Sequence, residues 1–404
     1  MKHLISLTLA TFAVPLYAGS AALTGITAVA DDAEGALTNP AGMTRLNEAS
    51  FSIGGLVAYG LGDFVVDEQN TSMDGGNPKK GTSAILIPSL YYVRPFGERL
   101  RAGISLTVPS GFGAEYGSDW AGRYYTDTYS LVYIAVTPAV AYRLSDSLSI
   151  GGSLGINYTS SEAESSINTL VPGAEDGRLE AELSGVGFSA SFGILWEPSE
   201  STRFGLVYTS DSEAELEGDA KLKNVGPVLD PVLDALDLKS VDLEIDNTLP
   251  QRVIAGVYHE LSDDWSVTAD ILWMKFSEFG TTGVSLNDTS LEVDPPDIYD
   301  DIWGLTAGVT HKFNATLSWN VGGFLISQPV DDDDRTLSMR LDSMWGVGAG
   351  VTQKFDANRS VDINLTLVNY GEAPVDTGES VARGRIVGKN EDPWSVLFGI
   401  TWHF

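Results

Sequence analysis

Trp394-Ser395-Val396-Leu397-Phe398-Gly399-Ile400-Thr401-Trp402-His403-Phe404 ends the chain, and it alternates without a break. Trp394, Val396, Phe398, Ile400, Trp402 and Phe404 are large and apolar, while the residues between them are mostly small or polar. A period of two marks a strand, and one greasy face backed by a small polar one suits lipid on one side and a lumen on the other. The same alternation runs through Leu148, Ile150, Gly152, Leu154, Ile156 and Tyr158, through Phe188, Ala190, Phe192, Ile194 and Trp196, and through Leu317, Trp319, Val321, Gly323 and Leu325.

Working outward, no stretch of the 404 residues after the leader approaches the ~18 consecutive apolar residues of a spanning helix. Only helices and closed barrels satisfy every backbone group in lipid, so membrane residence here means strands. Residues 1–18 read as a signal peptide: Lys2, the short apolar run Leu4–Val14, a break at Pro15 and small residues from Ala18. Leu16 is a poor residue at −3 for cleavage after Ala18, so the cut is placed anywhere from 18 to 22. Trp265 and Trp273 lie eight residues apart on one strand face, as do Trp394 and Trp402. At about 3.3 Å per residue and roughly 40° of tilt, that spacing rises on the order of 20 Å, close to the distance between two aromatic girdles.

Connections count the strands. Short polar turns fall near Phe96–Glu98, Ser145–Ser147, Pro198–Glu200, Ser262–Asp264, Phe313–Ala315 and Asp356–Asn358. Longer segments span Leu61–Ser83, Pro109–Thr126, Ser160–Glu180, Ser210–Asn247, Phe279–Asp297, Gln328–Arg340 and Gly371–Asp392. Seven long segments alternating with six short turns make thirteen connections, hence fourteen strands, with both termini on the short-turn side, which is periplasmic in outer-membrane barrels. The expected fold class is all-β: a 14-stranded antiparallel transmembrane β-barrel over residues 49–404, preceded by the segment 19–48, which starts on the periplasmic side and can fold up into the lumen.

Within the longest loop, Val225, Val228, Leu229, Val232, Leu233 and Leu236 keep helical spacing, with Asp230, Asp234 and Asp237 on another face. Pro231 is expected to split this into two short helices, with Asp230 as cap. The apolar face either packs on the barrel rim or receives a greasy ligand.

With 55 acidic residues against 24 basic and a net charge of −31, the chain repels phosphate backbones, so nucleic acid is excluded as a partner. No cysteine means no thiol catalysis, disulfide or zinc-thiolate site. Outside the leader the histidines are His259, His311 and His403, near strand ends, and spacing picks out no Ser-His-acid set. Asp331–Asp334 lacks the spaced ligands of a calcium loop and reads as solvated. No catalytic residue, metal site or cofactor is expected.

Ala28–Met43 fits none of the strand patterns. It carries Ala30-Asp31-Asp32-Ala33 and then Asn39-Pro40-Ala41-Gly42-Met43, a turn sequence. Between a leader and a barrel, this resembles the hatch of the FadL/TodX family of outer-membrane channels for fatty acids and other hydrophobic compounds. Further anchors are Pro109-Ser110-Gly111-Phe112-Gly113, Trp120-Ala121-Gly122-Arg123-Tyr124, Trp196-Glu197-Pro198, Arg203–Tyr208, Leu249-Pro250 and Asp300–Trp303; the terminal Phe404 is similar to the end of other bacterial outer-membrane barrels. The stretch before Ala30 is shorter than the family's and lacks its glycine-rich run.

The resemblance implies capture by extracellular loops, passage to a luminal pocket and sideways exit where the third strand kinks inward beside the hatch. Leu100–Val108 is the expected third strand. Pro109, Gly111 and Phe112 at its end either break its pairing or begin the next loop. Asn39, Pro40, Ala41 and Gly42 are the expected gate. Leu86, Leu90, Val132 and Ile134 join the helical loop residues as expected ligand contacts, although both faces of their strands are apolar. Arg123, Arg252 and Arg340 are open to two readings, a ligand carboxylate or a structural ion pair, and Arg123 is taken as the candidate anchor. The expected partners are a fatty acid or hydrocarbon and the surrounding lipid and lipopolysaccharide, with the protein a monomer. The alternatives from other classes are a surface adhesin and a lipid-active barrel enzyme.

Overall fold

The computed structural model describes residues 9–12, 24–79, 84–171, 173–236, 238–287, 289–291 and 298–404. Among these, alternating sequences become the antiparallel strands β1 (Ser50–Gly60), β2 (Ala84–Phe96), β3 (Leu100–Glu115), β4 (Thr128–Arg143), β5 (Leu148–Ile167) and β6 (Gly177–Ser199). Three strands follow, each in two pieces: β7a and β7b (Thr202–Thr209, Ser212–Lys223), β8a and β8b (Ser240–Leu249, Arg252–Glu260), and β9a and β9b (Trp265–Met274, Gly280–Leu286). The set ends with β10 (Ile302–Lys312), β11 (Leu317–Ile326), β12 (Met344–Lys354), β13 (Ser360–Asn369) and β14 (Trp394–His403). β14 pairs with β13 on one side and β1 on the other, closing a fourteen-stranded barrel with no free edge at the seam.

All six short turns connect strands where expected. On β14 the inward residues Ser395, Leu397, Gly399, Thr401 and His403 are buried, and Phe398 and Trp402 are exposed outward. Rings mark two levels of the outer wall. Trp345 and Trp394 meet edge-on at 5.1 Å near the long-loop rim. Trp265, His311 and Trp319 stack near the short-turn rim, where Phe355 also lies over Trp402.

Several segments read as loops are strand extensions. β5 and β6 have 20 and 23 residues. At ~3.3 Å per residue and roughly 40° of tilt they rise about 50 Å or more, well beyond a ~30 Å hydrocarbon layer. β7b and β8a join this projecting sheet, so Ser210–Asn247 is mostly hairpin. Glu162, Glu182, Asp219 and Asp242 lie side by side across its four strands, exposed to water that screens them. Atop the hairpin, α2 (Gly226–Ala235) is one helix with Pro231 inside it, not two. Pro231 supplies no N–H to the Pro227 carbonyl, a loss confined to the helix's first turns. Lys239 holds the return by bridging Asp230 and Asp234 at 3.2 and 3.1 Å. A small sheet of Asp63–Val66, Val375–Asp376 and Val387–Glu391 ties the first long loop to the last.

Candidate functional site

Inside the barrel, residues 24–49 form a plug, with α1 (Gly35–Thr38) followed by a tight 3-10 turn, Pro40–Arg45. Asn39 organises it. Its side-chain oxygen accepts from the Ala41 N–H (3.1 Å), capping the turn, and its NH₂ donates to the carbonyls of Thr27 (2.8 Å) and, on β6, Ile194 (3.1 Å). Pro40 starts the turn because its missing N–H is not needed there.

The wall accommodates this backbone by omitting side chains. A Cβ on Gly103, Gly151, Gly193, Gly205, Gly256, Gly308 or Gly322 would collide with plug residues running from Thr24 to Met43. Gly193→Val is therefore expected to drive Asn39 from its niche, at an overpacking cost of about 1–3 kcal/mol. Faster proteolysis of residues 24–49 inside an intact barrel would register it.

Polar clasps complete the seat. On β9a, Asp270 accepts from the N–H groups of Gly25 (2.9 Å), Ile26 (3.2 Å) and Thr27 (3.2 Å) and from the Thr27 hydroxyl (2.9 Å). Arg203, stacked on Tyr258 at 3.8 Å, donates to the Val29 carbonyl and to Asp31 (3.0 Å). Arg101 and Arg143 donate to the carbonyls of Leu46 and Thr44. Burial raises the carboxyls of Asp32 and, further, Glu34; Asp362 adds to both shifts and His403 opposes them.

His403 also completes a set that spacing did not reveal. Ser52 Oγ lies 2.8 Å from His403 Nδ1, and His403 Nε2 lies 3.0 Å from Asp362 on adjacent strands. The three types match a hydrolase triad, but Ser52 is 0% exposed. Strand register, not sequence spacing, brings them together.

Above the plug the inward side chains are apolar. Leu56, Ala58, Leu131, Tyr133, Ile254, Leu272 and Met274 form one buried cluster with Phe276 and Phe279, whose rings stack at 4.6 Å, and Ile26 and Leu37 pack against it from the plug. The two phenylalanines enter through the 3-10 turn Phe276–Glu278 that interrupts strand nine.

The wall itself is incomplete between β2 and β3. Their pairing runs from Phe96↔Leu100 to Leu90↔Leu106 and stops. β2 continues against β1 to Ala84, and β3 continues against β4 to Glu115 with a register shift between Thr107 and Ser110. Pro88 and Pro109, which have no N–H for a ladder, fall in the separated stretches, as do Gly111 and Gly113. The backbone of Leu9–Phe12 pairs with Gly111–Gly113 at this edge. Pro109 thus lies within an extended β3 instead of beginning a loop, and Gly111 and Phe112 follow it along the same edge.

Several expected ligand contacts face elsewhere. Leu86, 67% exposed, and Leu90 are on the outer face of β2, whose inner face carries Ile85, Ile87 and Tyr91. Val132 and Ile134 likewise point out, opposite the buried Leu131 and Tyr133. A register offset of one residue exchanges the faces of a strand, and apolar residues on both faces left the sequence silent on which was inward. Val225, just before α2, is buried; on the helix Leu229 and Leu233 are half-buried and Val228 and Val232 exposed, as is Leu236 just after it. Arg123 is held by Asp176 (2.8 Å) and Asp74 (3.1 Å), the structural alternative.

Known proteins share this architecture. The model of the family described as outer membrane protein transport protein (OMPP1/FadL/TodX) matches residues 13–401. The long-chain fatty acid transport protein of Escherichia coli O6:H1 is 24% identical over 414 residues, covering 95% of this chain and 91% of its own. Outer membrane protein P1 of Haemophilus influenzae is 24% identical over 343 residues, covering 74% and 72%. Among solved structures, a Pseudomonas aeruginosa FadL homologue superposes with a TM-score of 0.82 at 17% identity, covering 99% of each chain. The Pseudomonas putida toluene transporter TodX gives 0.70 at 17% identity, covering 98% of this chain and 99% of its own. A plugged fourteen-stranded barrel matched by the family model over almost its whole length belongs to the OMPP1/FadL/TodX family of outer-membrane transporters for hydrophobic compounds.

Proposed function

We propose that the protein imports long-chain fatty acids passively, by capture at the extracellular rim, residence in the apolar lumen and sideways release between β2 and β3 into the bilayer. The observation that carries this reading is the juxtaposition of the interrupted wall with a greasy lining: Ile85 and Ile87, where β2 pairs with β1 but no longer with β3, pack against the luminal cluster. An apolar tail gains free energy by passing from that lining into lipid and loses it by entering a wet pore. Asn39, Pro40, Ala41 and Gly42 form the gate, since shifting the turn they build uncouples the plug from β6. Loss of residues 1–18 as a leader leaves the Gly111–Gly113 edge without its present partner. The mature chain acts as a monomer amid lipid and lipopolysaccharide, without enzymatic activity.

A deletion strain carrying this gene is expected to grow on oleate as sole carbon source where the empty strain does not; equal growth of the two would sink the reading. Aromatic hydrocarbons are the second substrate class, favoured by the rings of Tyr129, Tyr133, Phe276, Phe279 and Tyr299 around the same space. Uptake of labelled toluene by the same strains separates the two.

A further inference from the structure

We infer that the plug is latched to the barrel seam by protons: Glu34 and Asp32 dock there in their uncharged form, so that rising pH loosens the plug from the wall. Both carboxyls face the short-turn end of the seam, close to where the plug runs into β1. There they meet Asp362 on β13 and His403 on β14. Three carboxyls thus gather round one imidazole, whose nitrogens are already engaged by Ser52 Oγ (2.8 Å) and Asp362 (3.0 Å). The side chains of His403 and Asp362 are only 9% and 15% exposed. Glu34 is buried, and neither its Oε1 nor Oδ1 of Asp362 has a hydrogen-bond partner among the described residues. Asp32, half-buried, accepts from the Glu34 N–H at 2.7 Å.

The other charges packed against this corner are committed elsewhere. Within the plug, Asp31 pairs with Arg203 (3.0 Å) and Arg45 (3.5 Å), and Arg45 also holds Glu197. Arg101 of β3 and Arg143 of β4 donate to the carbonyls of Leu46 and Thr44. β1 adds the Ser52 hydroxyl, and β2 adds Tyr91, buried in one cluster with Ala33 and Ala36. One imidazole neutralises at most one of the three carboxylates, and an unpaired buried charge is costly, so the docked plug favours protonated carboxyls. Burial accordingly raises Asp32 and, further, Glu34, with Asp362 adding to both shifts and His403 opposing them. A plug that has left its seat is solvated, and its carboxyls return to ordinary values. Docking therefore takes up protons. It is strongest below about pH 4, where both states are protonated, and weakens as pH rises through the raised value of Glu34. Each proton taken up weakens docking about tenfold per pH unit in that window. The latch concerns the seating of the plug and does not depend on which compound is imported.

The test is hydrogen exchange in the full-length protein in detergent between about pH 5 and pH 8, expressed as protection factors, which divide out the intrinsic pH dependence of exchange. Amides of Gly35–Thr38 should lose protection as pH rises, by up to about tenfold per unit, while those of β13 and β14 keep theirs. Glu34→Gln fixes the uncharged form and is expected to flatten most of this dependence, leaving the plug protected at pH 8. Asp32→Asn keeps the acceptor for the Glu34 N–H, removes one charge beside it and should reduce the loss part-way. Heat-modifiable mobility on gels confirms that each variant forms a barrel, and the parent and Asp32→Asn profiles decide the matter if Glu34→Gln does not assemble. A flat profile in the parent, or equally steep profiles in parent and variants, overturns the latch. Because no transport is measured, either result leaves the import reading standing.

Discussion

Asp270→Ala is expected to free the amino-terminal part of the plug while the barrel still folds. One carboxylate accepts from three consecutive backbone N–H groups and a hydroxyl, and Thr306 adds a contact at 3.3 Å. Hydrogen bonds to a charged group contribute roughly 1.5–3 kcal/mol each, and alanine also leaves the plug amides buried and unpaired. Even a net loss of about 3 kcal/mol raises the undocked fraction by roughly two orders of magnitude. Hydrogen exchange at Gly25, Ile26 and Thr27 should accelerate accordingly, with strand amides of β9a still protected. Passive entry of small hydrophobic antibiotics into cells should rise. Exchange at those three amides as slow as in the parent would show that the Asn39 and Arg203 contacts suffice. Asp270→Asn keeps the shape and one acceptor and should fall between the two.

Closing the gap between β2 and β3 is expected to abolish uptake. Extending the register beyond Leu90↔Leu106 brings Ile87 opposite Pro109. Cysteines at these two positions, in a chain with no cysteine of its own, define one possible disulfide and remove one of the two prolines that interrupt pairing. Oxidised cells should take up labelled oleate no faster than the deletion strain, and reduction with dithiothreitol should restore the rate. A fully formed disulfide with undiminished uptake would place the exit elsewhere, for instance through the short-turn end past the plug. Because both residues lie above the paired part of β2 and β3, the barrel should assemble in either state.

These experiments probe features of unequal legibility. The hatch sequence was readable because Asn39-Pro40 imposes its local conformation whatever surrounds it: proline fixes a dihedral and asparagine caps its own turn. Its socket was not. Gly103, Gly151, Gly193 and Gly256 look like ordinary strand glycines, and only the closed barrel shows that each leaves room for the plug. Asp270 is one inward polar residue of its strand, and it gained its role from Gly25–Thr27, some 240 positions away in the chain. The same holds for Ser52, His403 and Asp362, which meet through register alone.

By itself the sequence determined that this chain crosses a membrane as fourteen strands, that β14 turns its tryptophans outward, and that a proline-centred turn precedes the barrel. Alternation, turn chemistry and girdle spacing are local properties, and each leaves a mark within about a dozen residues. Tertiary structure decided which faces of β2 and β4 look inward, how far the strands rise above the bilayer and where the pairing of β2 with β3 stops. Those outcomes depend on register and on partners remote in the chain, and a strand with apolar residues on both faces, such as Leu131–Val136, has no side preference until its neighbours impose one.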